Sequence, residues 1–305
     1  MEKTKKKKFR WRRYLPLYLM MIPGTIYLIV NNYIPMAGLV LAFKKFNYQF
    51  GMWKSPWNGF SNFKFLFMGS DAFNMIRNTI VYNLVFIVLG TILAIAVAIF
   101  LNAVPGNKSK KTYQTIILIP YLISIVIVSY IGFAFMSQES GFINNSLLKE
   151  NPVSWYTTPS VWPFILVFIH LWKSFGYNSI IYYATIIGID PSLFEAAEID
   201  GASRWKQVLH ITLPSLKTTI ITLTLLSIGR IFYSDFGLFY QVPMNSGPLI
   251  DVTNTIDTYV YRALLTLNDV GRSSAAGFLQ SILGFFIVWM TNFVVKKVDK
   301  ENALF

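Results

Sequence analysis

Apolar and polar positions along this chain segregate into long blocks instead of alternating. The clearest block is 84–101, which carries no charge and is interrupted only by Gly90 and Thr91. A helix needs about twenty apolar residues to cross a bilayer, so this block predicts a transmembrane span. Comparable runs at 15–43, 112–135, 161–187, 214–236 and 273–295 bring the expected total to six. The first run is too long for a signal-peptide core and lacks a small-residue cleavage site. Interruptions are expected in it at Pro23-Gly24 and Pro35, of the kind that neighbouring groups make tolerable in membranes. Between the first two spans, Trp53, Trp57, Phe60, Phe63, Phe65 and Phe67 predict an interfacial segment, with a short surface helix near 62–68. On the last span, Gly277, Ser281 and Gly284 form a small-residue stripe suited to close helix contact. The expected layout is therefore an all-α membrane protein. A basic N-terminus (1–13) precedes the first span and its external segment (14–69). A core of five spans (70–297) encloses a polar island at 195–214, and a short tail follows (298–305).

Composition agrees with that layout. The 305 residues are 54% hydrophobic and 13% charged, about half the charge of an ordinary soluble domain. A net charge of +13 in a soluble protein points to nucleic acid, but here the charge gathers at loops and ends, and no nucleic-acid partner is expected. Lys3, Lys5, Lys6, Lys7, Lys8, Arg10, Arg12 and Arg13 suit an N-terminus kept in the cytoplasm, with binding to anionic lipid as the alternative. Lys108, Lys110 and Lys111, then Arg204, Lys206 and Lys217, then Lys296, Lys297 and Lys300 fall on the same side of a six-span topology. Both termini and the island are thus expected in the cytoplasm. Lys44, Lys45, Lys54, Lys64 and Arg77 run against that bias.

Chemistry is sparse. The chain has no cysteine, and His170 and His210 are too far apart to make a metal pair. It has no GxxxxGK[ST], HExxH or GxSxG sequence. Acidic residues are absent from the central portions of the six expected spans, which weighs against an ion-coupled carrier. Energy for uphill movement is therefore expected from another subunit. Two cations stand out within the runs. Counting from the inner ends of the fourth and fifth spans, Lys173 and Arg230 both fall roughly 21–24 Å into the membrane. Charge at that depth is costly and turned inward. Trp172, Tyr177 and Asn178 accompany Lys173, and Tyr233 and Asp235 follow Arg230. Aromatic faces beside hydrogen-bonding groups suit a sugar; a structural ion pair or interfacial anchor is the competing reading.

The polar island reads EAAEIDGASRWKQVLHITLP. Glu195, following Pro191 and Ser192, is expected in a first helical turn, where a carboxylate suits the positive helix end. Ala196 and Ala197 propagate a helix and leave a low-profile face. Gly201 permits a sharp turn, and Pro214 is expected in the first turn of the next helix. A plain interfacial linker is the alternative. The skeleton of Glu195-Ala196-Ala197, three residues, Gly201, nine residues, Ile211, one residue and Leu213-Pro214 resembles the EAA loop of ABC-importer permeases.

That resemblance covers about 70–295 and looks like the core of type I ABC-importer permeases. Ile199-Asp200-Gly201-Ala202-Ser203 and Ile211-Thr212-Leu213-Pro214 resemble the carbohydrate branch. Pro23-Gly24, Asn32-Tyr33-Ile34-Pro35-Met36, Ala42-Phe43-Lys44 and Asn62-Phe63-Lys64-Phe65-Leu66 look like permeases for polysaccharide fragments and complex oligosaccharides. The resemblance implies a non-catalytic subunit of a bacterial cell membrane. It would pair with a second, related permease chain, two ATPase subunits and an extracellular solute-binding protein. ATP and Mg would belong to the ATPase, with no cofactor in this chain. Glu195, Ala196, Ala197, Asp200, Gly201, Ala202, Arg204, Leu213 and Pro214 would then couple to the ATPase. Trp172, Lys173, Tyr177, Asn178, Arg230, Tyr233 and Asp235 are candidates for the substrate path. A permease for a non-sugar solute, a carrier and a membrane enzyme remain rival expectations.

Overall fold

The computed structural model describes residues 11–298; most of the basic N-terminus and nearly all of the tail lie outside the described residues. Among the described residues no strand forms, and a single bridge pairs Lys44 with Trp57. Four helical runs are long and apolar enough to cross a membrane, and two bent pairs raise the number to six if each pair is one span.

The first run, Tyr14–Phe43, opens with α1 (Trp11–Leu28). The break expected at Pro23-Gly24 does not occur, since α1 passes through both Pro16 and Pro23. The irregularity lies at Ile29–Tyr33, a wide turn in which Ile34 N–H donates to Ile29 O just before Pro35. Proline removes one helix donor and crowds the carbonyl four residues back; widening the turn moves that carbonyl aside. Most of this run is exposed, and its end, Ala37–Phe43, packs on the last helix.

Helix α2 (Ser70–Ala103) begins at Ser70, well before the expected residue 84. The sequence reading stopped at polar Asn78, Thr79 and Asn83, but each has a partner across the bundle. Asn78 Nδ2 donates to Asp251 O (2.8 Å) and Asn254 O (3.0 Å). Thr79 Oγ1 accepts from Ile256 N–H (3.0 Å). Satisfied in this way, polar side chains cost a buried helix little. The short surface helix expected near 62–68 appears as two brief turns, Ser61–Phe63 and Phe65–Met68.

The third run is not one straight span. Helices α3 (Asn107–Leu122) and α4 (Ile125–Met136) meet at 87°, where Ile123 and Ser124 are extended. Helix α5 (Trp162–Ile187) forms its most extensive contacts with α2. Ala94 and Ala98, fully buried and one turn apart on α2, let Tyr182 and Ile186 of α5 approach closely. After α6 (Pro191–Ile199), helix α7 (Arg204–Ser215) bends by 55° into α8 (Lys217–Ile228). Helix α9 (Ile256–Leu265) then leads to α10 (Val270–Val298). On α10, Gly277 has no neighbour within 4 Å of a would-be Cβ, and Gly284 faces Tyr233 at 3.5 Å. The expected stripe is thus packed at one end and open at the other.

The fifth run also differs. Helix α8 ends at Ile228 and the chain turns through 229–234. Arg230 therefore sits past a helix end and not within a span. That turn holds because its carbonyls are occupied. Asn83 Nδ2 donates to Ile231 O (2.8 Å) and Tyr233 O (3.1 Å), and Gln280 Nε2 donates to Phe232 O (2.8 Å).

Candidate functional site

Two features dominate: an exposed segment at one end of the bundle and a cavity reached by the helices attached to it. The segment starts at Asp190, whose carboxylate accepts from Ser192 N–H (3.0 Å) and caps α6. That backbone hydrogen bond holds its carboxyl below the usual carboxylate range. The helix-start role expected of Glu195 thus belongs to Asp190, and Glu195 lies on the second turn, exposed. Glycine ends the helix as expected. Gly201 has φ +70°, Ala202 N–H donates to Ala197 O (2.8 Å) and Gly201 N–H to Glu198 O (3.0 Å). These are the two bonds of a left-handed helix stop. Ser203 Oγ then accepts from Lys206 N–H (3.4 Å) to start α7.

Pro214 is not at the start of the next helix. It lies in the last turn of α7, after a wide turn at Val208–Thr212 in which Leu213 N–H donates to Val208 O. This repeats the solution found at Pro35. Leu216, fully buried at the bend, packs against Ala94, Ala98, Tyr182 and Ile186. Thr185 Oγ1 and Thr219 Oγ1, 3.1 Å apart, tie α5 to α8 beside it. The segment is therefore exposed along its length and seated at its root. Glu195, Ala196, Asp200, Gly201 and Arg204 are exposed, Ala197, Ala202 and Leu213 half-buried, and Pro214 exposed. Leu193, Ile199 and Trp205 are also exposed, at 50%, 87% and 68%. Large apolar groups left exposed on a polar segment suit contact with a partner. The sequence reading named Ile199 only as part of a motif and passed over Leu193 and Trp205, although the apolar character of Ile199 and Trp205 within a polar island was a signal.

The cavity, of about 690 Å³, is lined from α2, α5, α8 and the turn after α8. Tyr177, Asn178, Arg230, Tyr233 and Asp235 all line it; Trp172 and Lys173 do not. Tyr177 stacks on Tyr121 with centroids 4.6 Å apart. Asp235 Oδ1 accepts from Leu238 N–H (3.1 Å). Arg230 and Asp235 are both exposed to the cavity, and no ion pair joins them among the described residues. Trp172 packs against the main apolar core instead. Lys173 Nζ donates to the carbonyls of Pro120 (3.3 Å), Tyr121 (3.1 Å) and Ile123. It closes the frayed end of α3, as a cation at a helix C-terminus does.

Sequence reasoning missed the residues that hold the cavity wall. Asp257 accepts from Ser234 N–H (2.7 Å), Ser234 Oγ (2.8 Å) and Gln280 Nε2 (3.1 Å). His170 lines the cavity and stacks on Phe86 with centroids 3.7 Å apart. Only the fold brings these together; nothing in local spacing marks them.

A bundle with broken spans, a central cavity and an exposed helical segment rooted beside it defines a membrane permease. Over residues 86–300 the chain matches the model for the binding-protein-dependent transport system inner membrane component, and it belongs to that family. It is 33% identical to Protein LplB of Bacillus subtilis, over 94% of this chain and 90% of that protein. It is also 33% identical to the polygalacturonan/rhamnogalacturonan transport system permease protein YteP of the same organism, over 94% and 89%. Among solved structures, a bacterial ABC transporter involved in import of the acidic polysaccharide alginate matches with TM-score 0.85 and 31% identity, covering 95% of this chain and 98% of that one. A bacterial alginate ABC transporter in complex with an alginate pentasaccharide-bound periplasmic protein matches with TM-score 0.84 and 30% identity, covering 95% of this chain and 97% of that one. The fold is the type I ABC-importer permease fold, and the chain is a multi-pass permease subunit of a binding-protein-dependent importer. The carrier and membrane-enzyme readings draw no support from these likenesses.

Proposed function

We propose that this chain is the non-catalytic permease half of an ATP-driven importer of oligosaccharides or polysaccharide fragments. One observation carries the mechanical part. The exposed segment 190–216 is continuous at one end with α5 and at the other with α8, and both helices line the cavity. A push on the segment is delivered to both through Leu216 and the Thr185–Thr219 contact. In this reading α6 docks into an ATPase through Glu195, Ala196, Ala197, Asp200, Gly201, Ala202 and Arg204, with Leu193, Ile199 and Trp205 as apolar anchors. Leu213 and Pro214 connect the docked helix to the bend.

The cavity side of the proposal rests on chemistry. Tyr177 and Tyr233 present ring faces, and Asn178, Arg230 and Asp235 present donors and acceptors. Saccharides offer apolar ring faces edged with hydroxyls, and mostly apolar walls with a few placed polar groups are the usual form of a ligand site. Both termini and the segment 190–216 face the cytoplasm. A second permease chain completes the path, two ATPase subunits bind the segment and supply ATP and Mg chemistry, and an external binding protein delivers the glycan. ATP-driven closure of the ATPases opens the cavity outward, and hydrolysis returns it inward.

Reconstitution tests this directly. The complex, purified through a tag on this chain, should bring an ATPase with it and take labelled oligosaccharides into proteoliposomes only when ATP and binding protein are present. Purification without an ATPase, or glycan uptake by this chain without nucleotide, overturns the proposal.

A further inference from the structure

Lys44, Lys45, Lys54 and Lys64 run against the charge bias of the rest of the chain, and no acidic residue accompanies them between 44 and 70. The fold uses one of them internally. Lys44 is almost fully buried, and its Nζ donates to Met52 O (3.1 Å) and Trp53 O (2.6 Å). Around it the chain closes into a hairpin, in which Lys45 N–H donates to Pro56 O (2.9 Å) and Asn58 N–H to Phe43 O (2.8 Å). Asn62 Nδ2 fixes the base by donating to Ala42 O (2.9 Å) and Lys44 O (2.8 Å). Held in this way, Phe43 and Phe63 turn inward onto Phe278 of α10, with centroids 5.1 and 6.0 Å away. Tyr48, Phe50, Trp53, Trp57 and Phe60 turn outward, each more than half exposed. Lys45, Lys54 and Lys64 are exposed alongside them.

Packing sets the level of this surface. Tyr82 and Phe86 of α2 pack with Trp162 and Leu166 of α5, and Ala94 and Ala98 with Tyr182 and Ile186. The two helices therefore run in the same direction, and Ser70, where α2 begins, lies at the end of the bundle away from the segment 190–216. The hairpin meets α10 at Phe278 and at Gly271, where a would-be Cβ lies 2.9 Å from the Asn62 amide. Helix α10 has 29 residues, roughly 43 Å at 1.5 Å per residue, which matches a bilayer together with both headgroup layers. Its first eight residues, roughly 12 Å, cover one headgroup layer and the edge of the hydrocarbon core. Aromatic rings at that level, mixed with cations and free of acids, complement phospholipid in charge and polarity.

We propose that the hairpin and the turn after it, 44–64, form a docking surface for anionic phospholipid headgroups. Lys45, Lys54 and Lys64 bind the phosphates, and the five outward rings lodge between the headgroups. Lys44 is a positioning residue that holds the rim bearing Trp53 in place. The lysines that run against the charge bias thus have a use in the membrane and are not part of the solute path.

The test uses the full complex in lipid nanodiscs. The chain has no cysteine, so Gln49→Cys, at an exposed position of the hairpin tip, carries a fluorophore, with the unsubstituted complex as the labelling control. Brominated phosphatidylglycerol and brominated phosphatidylcholine are the quenching probes. Both should quench the label, the anionic lipid at least about threefold more strongly at low salt. Lys45→Gln, Lys54→Gln and Lys64→Gln together should erase that preference, leave quenching by the neutral lipid in place and leave ATPase retention unchanged. The three arginine substitutions should restore the preference. No quenching by either lipid, with the ATPase still bound, overturns the proposal. Equal quenching by the two lipids in the wild type, or a preference that survives the glutamine substitutions, overturns it as well. A label shielded from lipid but shifted by the binding protein or by soluble oligogalacturonate assigns the surface to that partner instead. Nothing in the measurement depends on transport, so failure of the importer reading and failure of this one are told apart.

Discussion

The carbonyl of Ile117 occupies the place where residue 176 would carry a side chain: a Cβ added to Gly176 would lie 1.8 Å from that oxygen. Gly176 is on α5 and Ile117 on α3, so the backbones of the two helices touch at this point without a side chain between them. Backbone cannot yield as a flexible side chain does. Gly176→Ala must push α3 off α5, and an overpacked contact of this kind costs about 3 kcal/mol or less when the neighbours shift. Thermal melting of the detergent-purified complex should show a clear drop, accompanied by poor assembly. A variant that melts like the wild type would mean the two helices are not in contact.

Lys173 and Arg230, which the sequence presents as a matched pair, should behave oppositely. Lys173 donates to the carbonyls at the break between α3 and α4, and Arg230 is exposed in the cavity. Charge-assisted hydrogen bonds contribute about 1.5–3 kcal/mol, so Lys173→Met should lower stability and reduce membrane-assembled protein. Arg230→Ala should leave assembly near normal and reduce glycan uptake. Quantifying assembled complex by gel filtration beside uptake separates the two. Equal assembly in both variants would contradict the role assigned to Lys173.

These two cations show what the sequence made legible. Hydrophobic runs located the crossing segments, four as single helices and two more if each bent pair is one span, because long apolar blocks have few other homes. The island's alanines and glycine gave part of its local form, the helix through Ala196 and Ala197 and its stop at Gly201. Breaks were harder, since they depend on partners distant in sequence. Helix α3 ends where Lys173 donates to its loose carbonyls, and α8 ends where Asn83 and Gln280 donate to the carbonyls of the following turn. Asp190 rather than Glu195 caps α6 because the helix starts at Pro191, an offset that composition does not fix.

Gly201 should matter through its backbone alone. Its φ is +70° and nothing lies within 4 Å of a would-be Cβ. Gly201→Ala therefore meets no clash and incurs only the left-handed backbone cost, about 1–2 kcal/mol. The expected outcome is a complex that still assembles but whose α6 is redirected. ATPase copurification should weaken severalfold, measured by the ATPase-to-permease ratio after washing, with little change in melting temperature. A large melting shift with a normal ratio would point to packing rather than to the turn.

Asp190 predicts a pH dependence with a definite sign. Its carboxyl lies below the usual range because the charged form accepts the Ser192 backbone hydrogen bond. The cap is therefore complete at any pH above the ordinary carboxylate value, about 3.9, and fades as pH falls through the lower folded value. No change is expected between pH 6 and 8. Asp190→Asn retains a good capping side chain, so it should match the wild type at neutral pH and lose the acid-side weakening of ATPase binding. Binding measured in both proteins from pH 7 down through and below the ordinary carboxylate value checks this; a pH response near neutrality would assign the titration elsewhere.

Leu216 is where the exposed segment becomes part of the bundle. It is fully buried at the 55° bend between α7 and α8, against Ala94, Ala98, Tyr182 and Ile186. Truncating a buried leucine costs about 2–5 kcal/mol through lost contacts and the cavity left behind. Here the loss falls at the joint, away from α6. Leu216→Ala should leave the docking face intact and loosen what lies behind it, so that ATPase association persists while motion of α6 is absorbed at the joint. The signature is a futile cycle: ATP hydrolysis near the wild-type rate with oligosaccharide uptake reduced about tenfold or more. Leu216→Met conserves volume and should restore most uptake. If Leu216→Ala lowers hydrolysis and uptake in equal proportion, the bend is not a separate transmission element, and the force must travel by another route between segment and cavity.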